Sequence, residues 1–340
     1  MIGFGNVGQG FAQLLVDKEN VLRSKYGLEV RVVGIVTRHW GAVTNAHGLA
    51  LKRVLASVRS GKGFERSGYP VQRKTGVDLI ENLDFDVLTE LTVTDLENGE
   101  PATRLIRLTL KKGCHVVTAN KGPIALHLRE LRSIAEENDA LLKYEGTVMS
   151  GTPILNLIEN NLAGVEIRKI EGIVNGSTNY ILTRMEEGQE YAEAVQEARD
   201  LGYLEADASA DLEGWDAVAK VMILAETAFG KTLKRAEVER QGITGLKKME
   251  VESAKREGKV WRMVAELERG DKDGCLRAAK VGLRKMESTH PLARIRGAGN
   301  ALVIYTDVLP VITITGPGAG SRETGYAVLN DLIRIFQERR

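Results

Sequence analysis

The chain has 340 residues, of which 43% are apolar, and this is enough for about two domains with proper cores. Its net charge of +1 gives no electrostatic case for binding nucleic acid or an anionic membrane, and no apolar run approaches the roughly 20 residues of a membrane helix. The N-terminus has no basic n-region or cleavage signal, and Cys114 and Cys275 form neither a disulfide framework nor a metal-ligand spacing. We therefore expect a cytoplasmic protein without nucleic-acid or membrane partners.

Residues 1–36 have the pattern of a strand, a glycine-rich loop, a helix and a second strand. The loop fits G-x-G-x-x-G, whose glycines allow a tight turn, close approach of the backbone to a pyrophosphate and close helix–strand packing. The phosphates would lie at the helix N-terminus, where unpaired N–H groups favour anions. A glycine-rich turn without a ligand is the alternative. The candidate cofactor-binding residues here are Gly3, Phe4, Gly5, Asn6, Val7 and Gly8.

Only Met1 and Ile2 precede this loop, whereas a central strand of such a sheet usually has about five or six residues. We expect either that the native chain starts upstream of Met1 or that its first strand is truncated.

The end of the second strand, Val36-Thr37-Arg38-His39, bears on the choice of nucleotide. NAD-specific proteins place an acidic residue there to bind the ribose 2′-hydroxyl, and this segment has none. The guanidinium of Arg38 suits a 2′-phosphate, which a carboxylate would repel. We therefore expect NADP(H) to be preferred, with NAD(H) possible. A solvent-exposed arginine without a ligand is the alternative.

The next segments continue the alternation of helices and strands. Residues 44–75 are basic and predict a helix and a loop, and residues 86–95 predict a strand that ends at Thr92. A helix and another strand follow, and the second of these leads to Lys121 in the segment 118–123. A lysine at the C-terminal end of a strand lies in the crevice where open α/β sheets bind ligands. An exposed loop lysine is the alternative.

Two further glycine-containing turns are candidate ligand sites. The segment 145–152 predicts a tight turn, whose carbonyl groups can also point inward towards a hard cation. Residues 165–188 predict a strand, a loop and a helix, with Asn175–Tyr180 at the loop. Gly176 lets the backbone approach a ligand, and Ser177 can cap the helix and offer a hydroxyl group. A plain helix cap is equally compatible with this pattern.

A dense group of carboxylates precedes an apolar helix near the middle of the chain. Glu205–Gly214 predicts a polar loop, and a helical pattern starts at Trp215. Asp216 and Lys220 are four residues apart on that helix, so they share one face. The alternative is a solvated loop followed by an ordinary surface ion pair. Because the polar groups converge where an apolar helix begins, we expect them to face a cleft.

The C-terminal part predicts strands followed by one helix. Residues 260–315 contain the strand-like runs, and the glycine-rich segment 316–320 precedes the helical pattern of residues 323–340. The N–H groups of this helix again face a possible anionic ligand. A glycine-rich turn without a ligand is the alternative.

The segment 197–220 resembles the signature of homoserine dehydrogenases. The signature places an alanine, a glycine and an aromatic residue before acidic residues, and then has D-x-x-G-x-D-x-x-x-K. The matching residues are Ala198, Gly202, Tyr203, Glu205, Asp211, Gly214, Asp216 and Lys220. Four other motifs follow the family in the right order, at Gly3–Gly8, Thr118–Pro123, Asn175–Tyr180 and Gly316–Gly320.

The resemblance implies reversible NAD(P)-dependent oxidation of L-homoserine to L-aspartate 4-semialdehyde, a step towards threonine and methionine. It also implies a homodimer formed through the substrate domain and a monovalent cation, Na⁺ or K⁺. The chain resembles monofunctional members, with no kinase or regulatory domain. Zn²⁺ is not expected because no cluster of histidine and cysteine exists.

Roles for individual residues follow from the resemblance. Lys220 is the expected acid/base, with Lys121 assisting or competing for that role. The remaining cofactor contacts are Arg38, Thr92, Lys121, Gly318, Ala319 and Gly320. The expected substrate contacts are Glu205, Asp211, Asp216, Tyr203, Gly176 and Ser177. The expected cation ligands are Glu145, Val148, Ser150 and Thr152, largely through backbone carbonyls.

We therefore expect an α/β fold, with a Rossmann-type domain and an α+β domain that has a mostly antiparallel sheet. The first comprises residues 1–145, completed by 316–340, and the second, with substrate-binding, catalytic and dimerisation roles, comprises residues 146–315. One alternative is a dehydrogenase acting on a different amino-acid alcohol or semialdehyde. Another is an NADP(H)-binding sensor, or a tightly NADP-inhibited homologue, without turnover.

Overall fold

The computed structural model describes residues 1–205, 207–270 and 275–339. The chain forms two compact units. Unit 1 comprises Met1–Gly151 and the C-terminal segment from Gly320, and unit 2 comprises Thr152–Ala319. None of the helices in these described ranges is long and apolar enough to cross a membrane.

Helices and strands alternate through the first half of the chain. The described helices are α1 Asn6–Val21, α2 Leu51–Arg59, α3 Gly76–Asn82, α4 Ala102–Lys111, α5 Lys121–Glu137, α6 Ile154–Asn156, α7 Gly176–Glu186, α8 Tyr191–Asp200, α9 Ser209–Leu212, α10 Trp215–Phe229, α11 Lys248–Arg256 and α12 Ser321–Glu338. The described strands are β1 Gly34–Thr37, β2 Gly41–Thr44, β3 Val87–Glu90, β4 His115–Thr118, β5 Leu142–Lys143, β6 Ile167–Ile173, β7 Glu239–Arg240, β8 Lys259–Arg269, β9 Leu276–Glu287, β10 Gly299–Thr306 and β11 Val311–Pro317. Short 3₁₀ or π turns occupy Leu22–Tyr26, Glu145–Thr147, Leu157–Asn161, Arg235–Glu237 and Pro291–Arg294.

The sheet of unit 1 is built around the first residues of the chain. Strands β3, β4 and β5 pair in parallel, and β1 pairs with β2 in antiparallel orientation. Ile2 joins the two groups, because it forms parallel bridges to Val36 on one side and to Glu90 on the other. The residues before the glycine-rich loop thus occupy the central strand position, although only Ile2 forms bridges there.

The amino group of Met1 lies inside this sheet. It donates a hydrogen bond to the carbonyl of Gly34 at 2.8 Å, and burial lowers its pKa to about 5. The Met1 carbonyl in turn accepts from the Val36 N–H at 3.0 Å. Met1 is therefore hydrogen-bonded to β1 at both its amino group and its carbonyl.

Helix α12 packs against α1 and completes the core of unit 1. The two helices approach closely at two glycines. A Cβ at Gly10 would lie 2.1 Å from the carbonyl oxygen of Ser321, and one at Gly325 would lie 2.6 Å from the Phe11 nitrogen. Side chains from both helices share one buried cluster, to which α12 contributes Val328, Leu329, Leu332 and Ile335.

Unit 2 contains a six-stranded sheet in the order β11-β10-β6-β8-β9-β7. Every pairing is antiparallel except the short pairing of β7 with β9. Helices α7, α10 and α11 all contact β8. Helix α10 is buried along most of its length, which agrees with its almost uninterrupted apolar sequence.

The predicted fold class is confirmed, since a Rossmann-like unit with a parallel sheet is joined to a mostly antiparallel α+β unit. The predicted strand over residues 86–95 is too long. Strand β3 ends at Glu90, because the Glu90 side chain accepts a hydrogen bond from the Thr92 N–H and turns the chain there. Thr92 therefore follows the strand.

Candidate active site

The glycine-rich loop of unit 1 has the local geometry of a phosphate cradle. Gly3 has a φ of +92°, and a Cβ there would lie 2.3 Å from the Leu91 carbonyl oxygen. A Cβ at Gly8 would lie 2.9 Å from the Gly3 carbonyl oxygen, whereas nothing lies within 4 Å of one at Gly5. Helix α1 begins at Asn6 without a side-chain cap, so its first N–H groups remain available to an anion. These features fit a dinucleotide pyrophosphate.

The other residues of this loop serve in different ways. The Phe4 side chain is buried in the core of unit 1 and lies 6.0 Å from the Phe64 ring, so only its backbone could face a nucleotide. Val7 packs partly against the same core, and Asn6 is exposed.

Arg38 lies immediately after β1, the strand that pairs with Ile2 just before the glycine-rich loop. It is exposed, and it has no hydrogen-bond or ion-pair partner within the described ranges. A guanidinium in this state can bind a ligand phosphate without first breaking an internal ion pair.

A buried carboxyl group lies at the C-terminal end of β3. Glu90 is completely buried and accepts hydrogen bonds from the Thr92 N–H at 2.9 Å, from the Thr92 hydroxyl, and from the Thr118 hydroxyl at 3.2 Å. Burial raises the pKa of Glu90, against the opposing effect of these hydrogen bonds and of one from Asn120. The ends of β3 and β4 are thus joined through one side chain.

Asn120 extends this network to α5. Its amide nitrogen donates to the Thr92 hydroxyl at 3.2 Å, and its amide oxygen caps α5 by accepting from the Gly122 N–H at 3.1 Å. Lys121 is the first residue of α5 and is half-buried. The structure therefore brings Thr92 and Lys121 to the same edge of the unit 1 sheet, at the carboxyl ends of its strands.

The candidate cation loop of unit 1 has a strained backbone. Met149 and Ser150 have φ values of 56° and 54°, which non-glycine residues seldom adopt. Glu145, Val148 and Ser150 are all buried. No group of three or more histidine, cysteine, aspartate or glutamate residues in the described part of the chain could hold a metal ion, so a site here would depend on carbonyl groups.

Unit 2 contains a compact polar group at the start of α10, which we call the lysine–carboxylate cluster: Asn175, Asp211, Asp216 and Lys220. The ammonium of Lys220 donates to Asp216 at 2.8 Å and to the Val174 carbonyl at 2.6 Å. The amide nitrogen of Asn175 donates to Asp211 at 2.5 Å and to Asp216 at 3.0 Å. Lys220 is only 7% exposed, so the alternative of an ordinary surface ion pair is wrong, and the pair is largely buried.

The local sequence explains this geometry. Gly214 has a φ of +84°, which turns the chain into the first residue of α10. Asp216 lies in the first turn, where the helix dipole favours a negative charge, and Lys220 lies one turn further along the same face. Asn175 is the N-cap of α7, and its amide oxygen accepts from the Thr178 N–H at 2.9 Å, which leaves its amide nitrogen free to bind both carboxylates.

The other predicted substrate residues lie on or near α7. Ser177 does not cap α7 as the sequence suggested, because Asn175 is the N-cap. The Ser177 hydroxyl instead donates to the Tyr203 carbonyl at 2.7 Å, and the Tyr203 ring lies 5.0 Å from that of Tyr180. Tyr203 is 43% exposed. Glu205 is exposed, and no contact among the described residues brings it into the lysine–carboxylate cluster, in contrast to Asp211.

The glycine-rich segment 316–319 lies at the end of β11 in unit 2. The Thr152 hydroxyl donates to the Pro317 carbonyl at 3.3 Å and thereby helps to hold this segment in place. The side chain of Asn300 lies against Gly318, since a Cβ on that glycine would be 2.2 Å from the Asn300 amide atoms. Ala319 is exposed, and Gly320, in unit 1, is the N-cap of α12 and has a φ of +135°.

Sequence reasoning did not select Asn175 or Glu90 as functional residues. An asparagine directly before Gly176 is a typical helix N-cap. When its amide oxygen caps the helix, its amide nitrogen remains available as a donor. Glu90 gave one signal, a carboxylate at the end of an otherwise apolar strand, where an unpaired charge would be costly.

A glycine-rich loop leads into an uncapped helix N-terminus, and a buried lysine is held by the Asp216 carboxylate and a backbone carbonyl. Such groups are the components of an NAD(P)-dependent dehydrogenase. Two family profiles match the chain, Homoserine dehydrogenase over residues 153–333 and Homoserine dehydrogenase, NAD binding domain over residues 3–145. The chain belongs to the homoserine dehydrogenase family.

Individual relatives agree with this family. The chain is 40% identical to the NAD(+)-dependent homoserine dehydrogenase of Pseudomonas canavaninivorans, over 99% of this chain and 95% of that protein. Its fold is similar to that of a putative homoserine dehydrogenase from Archaeoglobus fulgidus, with a TM-score of 0.88, 36% identity and 98% of each chain covered. A hyperthermophilic archaeal homoserine dehydrogenase mutant in complex with NADPH has a TM-score of 0.85 at 32% identity, over 99% of this chain and 96% of that one. The resemblance found in the sequence is confirmed, and the chain is an NAD(P)-dependent enzyme of this family.

Proposed function

We propose that the chain catalyses the reversible oxidation of L-homoserine to L-aspartate 4-semialdehyde, with the reacting alcohol at the lysine–carboxylate cluster. The observation that carries this placement is the buried ammonium of Lys220, fixed by Asp216 at 2.8 Å and by the Val174 carbonyl at 2.6 Å. A proton-transfer group must be held within hydrogen-bond reach of the reacting oxygen, and two fixed partners provide such a restraint.

Lys220 transfers the alcohol proton in this proposal. In the oxidation direction its uncharged form accepts the hydroxyl proton of homoserine, and in reduction its ammonium returns that proton to the aldehyde oxygen. The nicotinamide, when bound, supplies the hydride chemistry. Lys121, at the start of α5 in unit 1, assists or competes for the acid/base role.

The charged head of the substrate needs separate partners. The carboxylates of Asp211 and Asp216 suit its ammonium, and Glu205 and Tyr203 are accessible for further contacts. The N-terminal turn of α7, with Gly176 and Ser177, suits its carboxylate because helix N-termini favour anions.

NADP(H) is the proposed preferred nucleotide, with NAD(H) possible, because Arg38 is exposed after β1 and has no partner in the described part of the chain. The pyrophosphate contacts are proposed for the Gly3–Gly8 loop. Further nucleotide contacts are proposed for Thr92, Lys121, Gly318, Ala319 and Gly320. The relatives do not decide the preference, since one is named for NAD(+) and another was solved with NADPH.

We also propose that the loop from Glu145 to Ser150 binds Na⁺ or K⁺ through carbonyl groups, at Glu145, Val148 and Ser150. Hard cations take oxygen ligands, and the left-handed residues Met149 and Ser150 reverse the chain in a way that can orient carbonyls together. The role of Thr152 as a further ligand stays a prediction.

The remaining proposals concern organisation. We propose a cytoplasmic homodimer formed through unit 2, with unit 1 as the nucleotide domain and unit 2 as the substrate and catalytic domain. Exposed apolar side chains at the turn after β10 and at the start of β11 support an interface in unit 2; they are Val308, Leu309 and Val311.

The test is steady-state reduction of NAD⁺ and NADP⁺ with L-homoserine, followed by the absorbance of the reduced nicotinamide. Turnover that is lost in a Lys220→Met variant supports the assignment, and a panel of other amino-acid alcohols separates related activities. Nucleotide binding without turnover of L-homoserine would contradict the proposal and favour a sensor.

A further inference from the structure

Asn300 differs from every other polar side chain in the described residues. It is 1% exposed, and within the described ranges neither its amide oxygen nor its amide nitrogen has a hydrogen-bond partner. In the described ranges no other side chain has two buried polar atoms unpaired. Buried polar groups are usually paired, so an orphaned amide is a candidate for a bond that forms only in another state.

The surroundings of Asn300 point to the ligand site of unit 2. A Cβ at Gly318 would lie 2.2 Å from the amide carbon, oxygen and nitrogen of Asn300, so the flat amide packs against the backbone of the glycine-rich segment. A Cβ at Gly176 would lie 3.2 Å from the Asn300 amide oxygen. The amide therefore sits between the first turn of α7 and the segment 316–319, and both adjoining positions lack a side chain.

The scaffold around Asn300 is well hydrogen-bonded, so loose packing does not explain the orphaned amide. The amide nitrogen of Asn179 lies 3.2, 2.8 and 3.3 Å from the carbonyls of Ile295, Gly297 and Gly299, immediately before Asn300. The Thr183 hydroxyl accepts from the Gly297 N–H at 3.1 Å. The turn that leads into β10 is therefore fixed to α7, and Asn300 is held in place with its own polar atoms unused.

We propose that Asn300 is a positioning residue whose amide becomes hydrogen-bonded when ligand binds, and that it thereby couples the first turn of α7 to the segment 316–319. The inference rests on the proposed function, because it takes the α7 turn as the substrate contact. A small movement of either glycine backbone brings N–H or carbonyl groups into reach of the amide, which offers a donor and an acceptor at once. The hydrogen bonds formed then strengthen ligand binding. Because coupling between two sites is reciprocal, substrate increases the affinity for nucleotide and nucleotide increases the affinity for substrate.

The test compares two buried asparagines that are replaced by the same apolar residue. Asn300→Leu removes both unpaired polar atoms, so the unliganded protein should melt at the same temperature as wild type or higher. Its KM for L-homoserine should rise about 10-fold, the scale of one or two neutral hydrogen bonds, and NADP⁺ and L-homoserine should raise its melting temperature less than in wild type. Asn179→Leu, which removes an amide nitrogen that already donates to carbonyls before β10, should lower the melting temperature of the unliganded protein.

Asn300→Ala covers the case in which leucine does not fit against Gly318, because it removes the amide without adding bulk. Weaker binding of both ligands by the alanine variant supports the proposal. Wild-type KM values and ligand-induced melting shifts in either Asn300 variant would overturn it and leave an ordered water as the partner of the amide. Failure of the proposed function is distinct, since the wild-type protein would then not turn over L-homoserine, while the nucleotide-induced melting shift would still report on Asn300.

Discussion

Replacing Lys220 by methionine separates its chemical role from its structural one. Methionine keeps the length of the side chain inside the apolar surroundings of α10 but removes the charge that faces Asp216. Breaking a buried ion pair by removing one partner costs about 3–5 kcal/mol. Asp216 keeps its hydrogen bond from Asn175 at 3.0 Å, and its side chain is 15% exposed, so we expect a loss near the lower limit, about 3 kcal/mol.

Turnover should fall at least ~100-fold, the usual scale for an acid–base group, which corresponds to about 2.7 kcal/mol in the barrier. The free energy of unfolding is measured by urea denaturation, and turnover by the steady-state reduction of nicotinamide with L-homoserine. Near-wild-type turnover in Lys220→Met would exclude the catalytic role.

The double variant Lys220→Met/Asp216→Asn is the matched control. Because asparagine leaves no uncompensated charge beside the methionine, the double variant should regain at least about 1 kcal/mol of stability over the single one. Its turnover should stay low. If activity returned together with stability, the loss in the single variant would be due to disturbed packing, and the reasoning would be wrong.

Three other predictions concern charged groups. Arg38→Ala should raise the KM for NADPH about 10- to 100-fold, the scale of a charge-assisted hydrogen bond, and leave that for NADH unchanged; an equal loss for both nucleotides would refute the assignment. Glu90→Leu should lower the free energy of unfolding in urea by about 2–4 kcal/mol and raise the KM for nucleotide, because the hydroxyl and N–H donors around Glu90 lose their acceptor. Glu90→Gln keeps an acceptor, so it should retain most of the stability and of the affinity for nucleotide; equal behaviour of the two variants would contradict this. Burial acts to raise the pKa of Glu171, but hydrogen bonds from Arg284 and Lys169 outweigh it and lower the pKa to about 2. Glu171 therefore stabilises the fold above about pH 4.5, and wild type should lose about 2 kcal/mol more than Glu171→Gln between about pH 5 and about pH 3; parallel acid-denaturation curves would count against it.

Patterns that are local in the chain were predictable. The glycines from Gly3 to Gly8 predicted the turn before α1, because the geometry they permit is fixed by their spacing. Asp216 and Lys220 were predictable as a pair for the same reason, since a helix brings residues four apart to one face. The apolar sequence of α10 also indicated that the pair faces a cleft, but not its partners Asn175 and Val174, which come from a distant part of the chain.

Residues whose role depends on distant parts of the chain were not predictable. Glu90 acts through Thr118 and Asn120, which reach it only because β3 and β4 pair in a particular register. The position of Asn300 depends on a turn that is hydrogen-bonded to α7 and on the contact with Gly318, just after β11. No spacing in the sequence records such contacts, and a single polar residue in an apolar strand gives too weak a signal.

The interrupted path of unit 1 affects how the protein is made. A ribosome that translates this chain completes the whole of unit 2 before it reaches α12, yet α12 covers α1 and supplies part of the core of unit 1. During synthesis the face of α1 that packs on α12, with Phe11 beside Gly325, therefore stays uncovered until α12 emerges. Chains that stop before α12 would leave this apolar surface exposed and would be prone to aggregate.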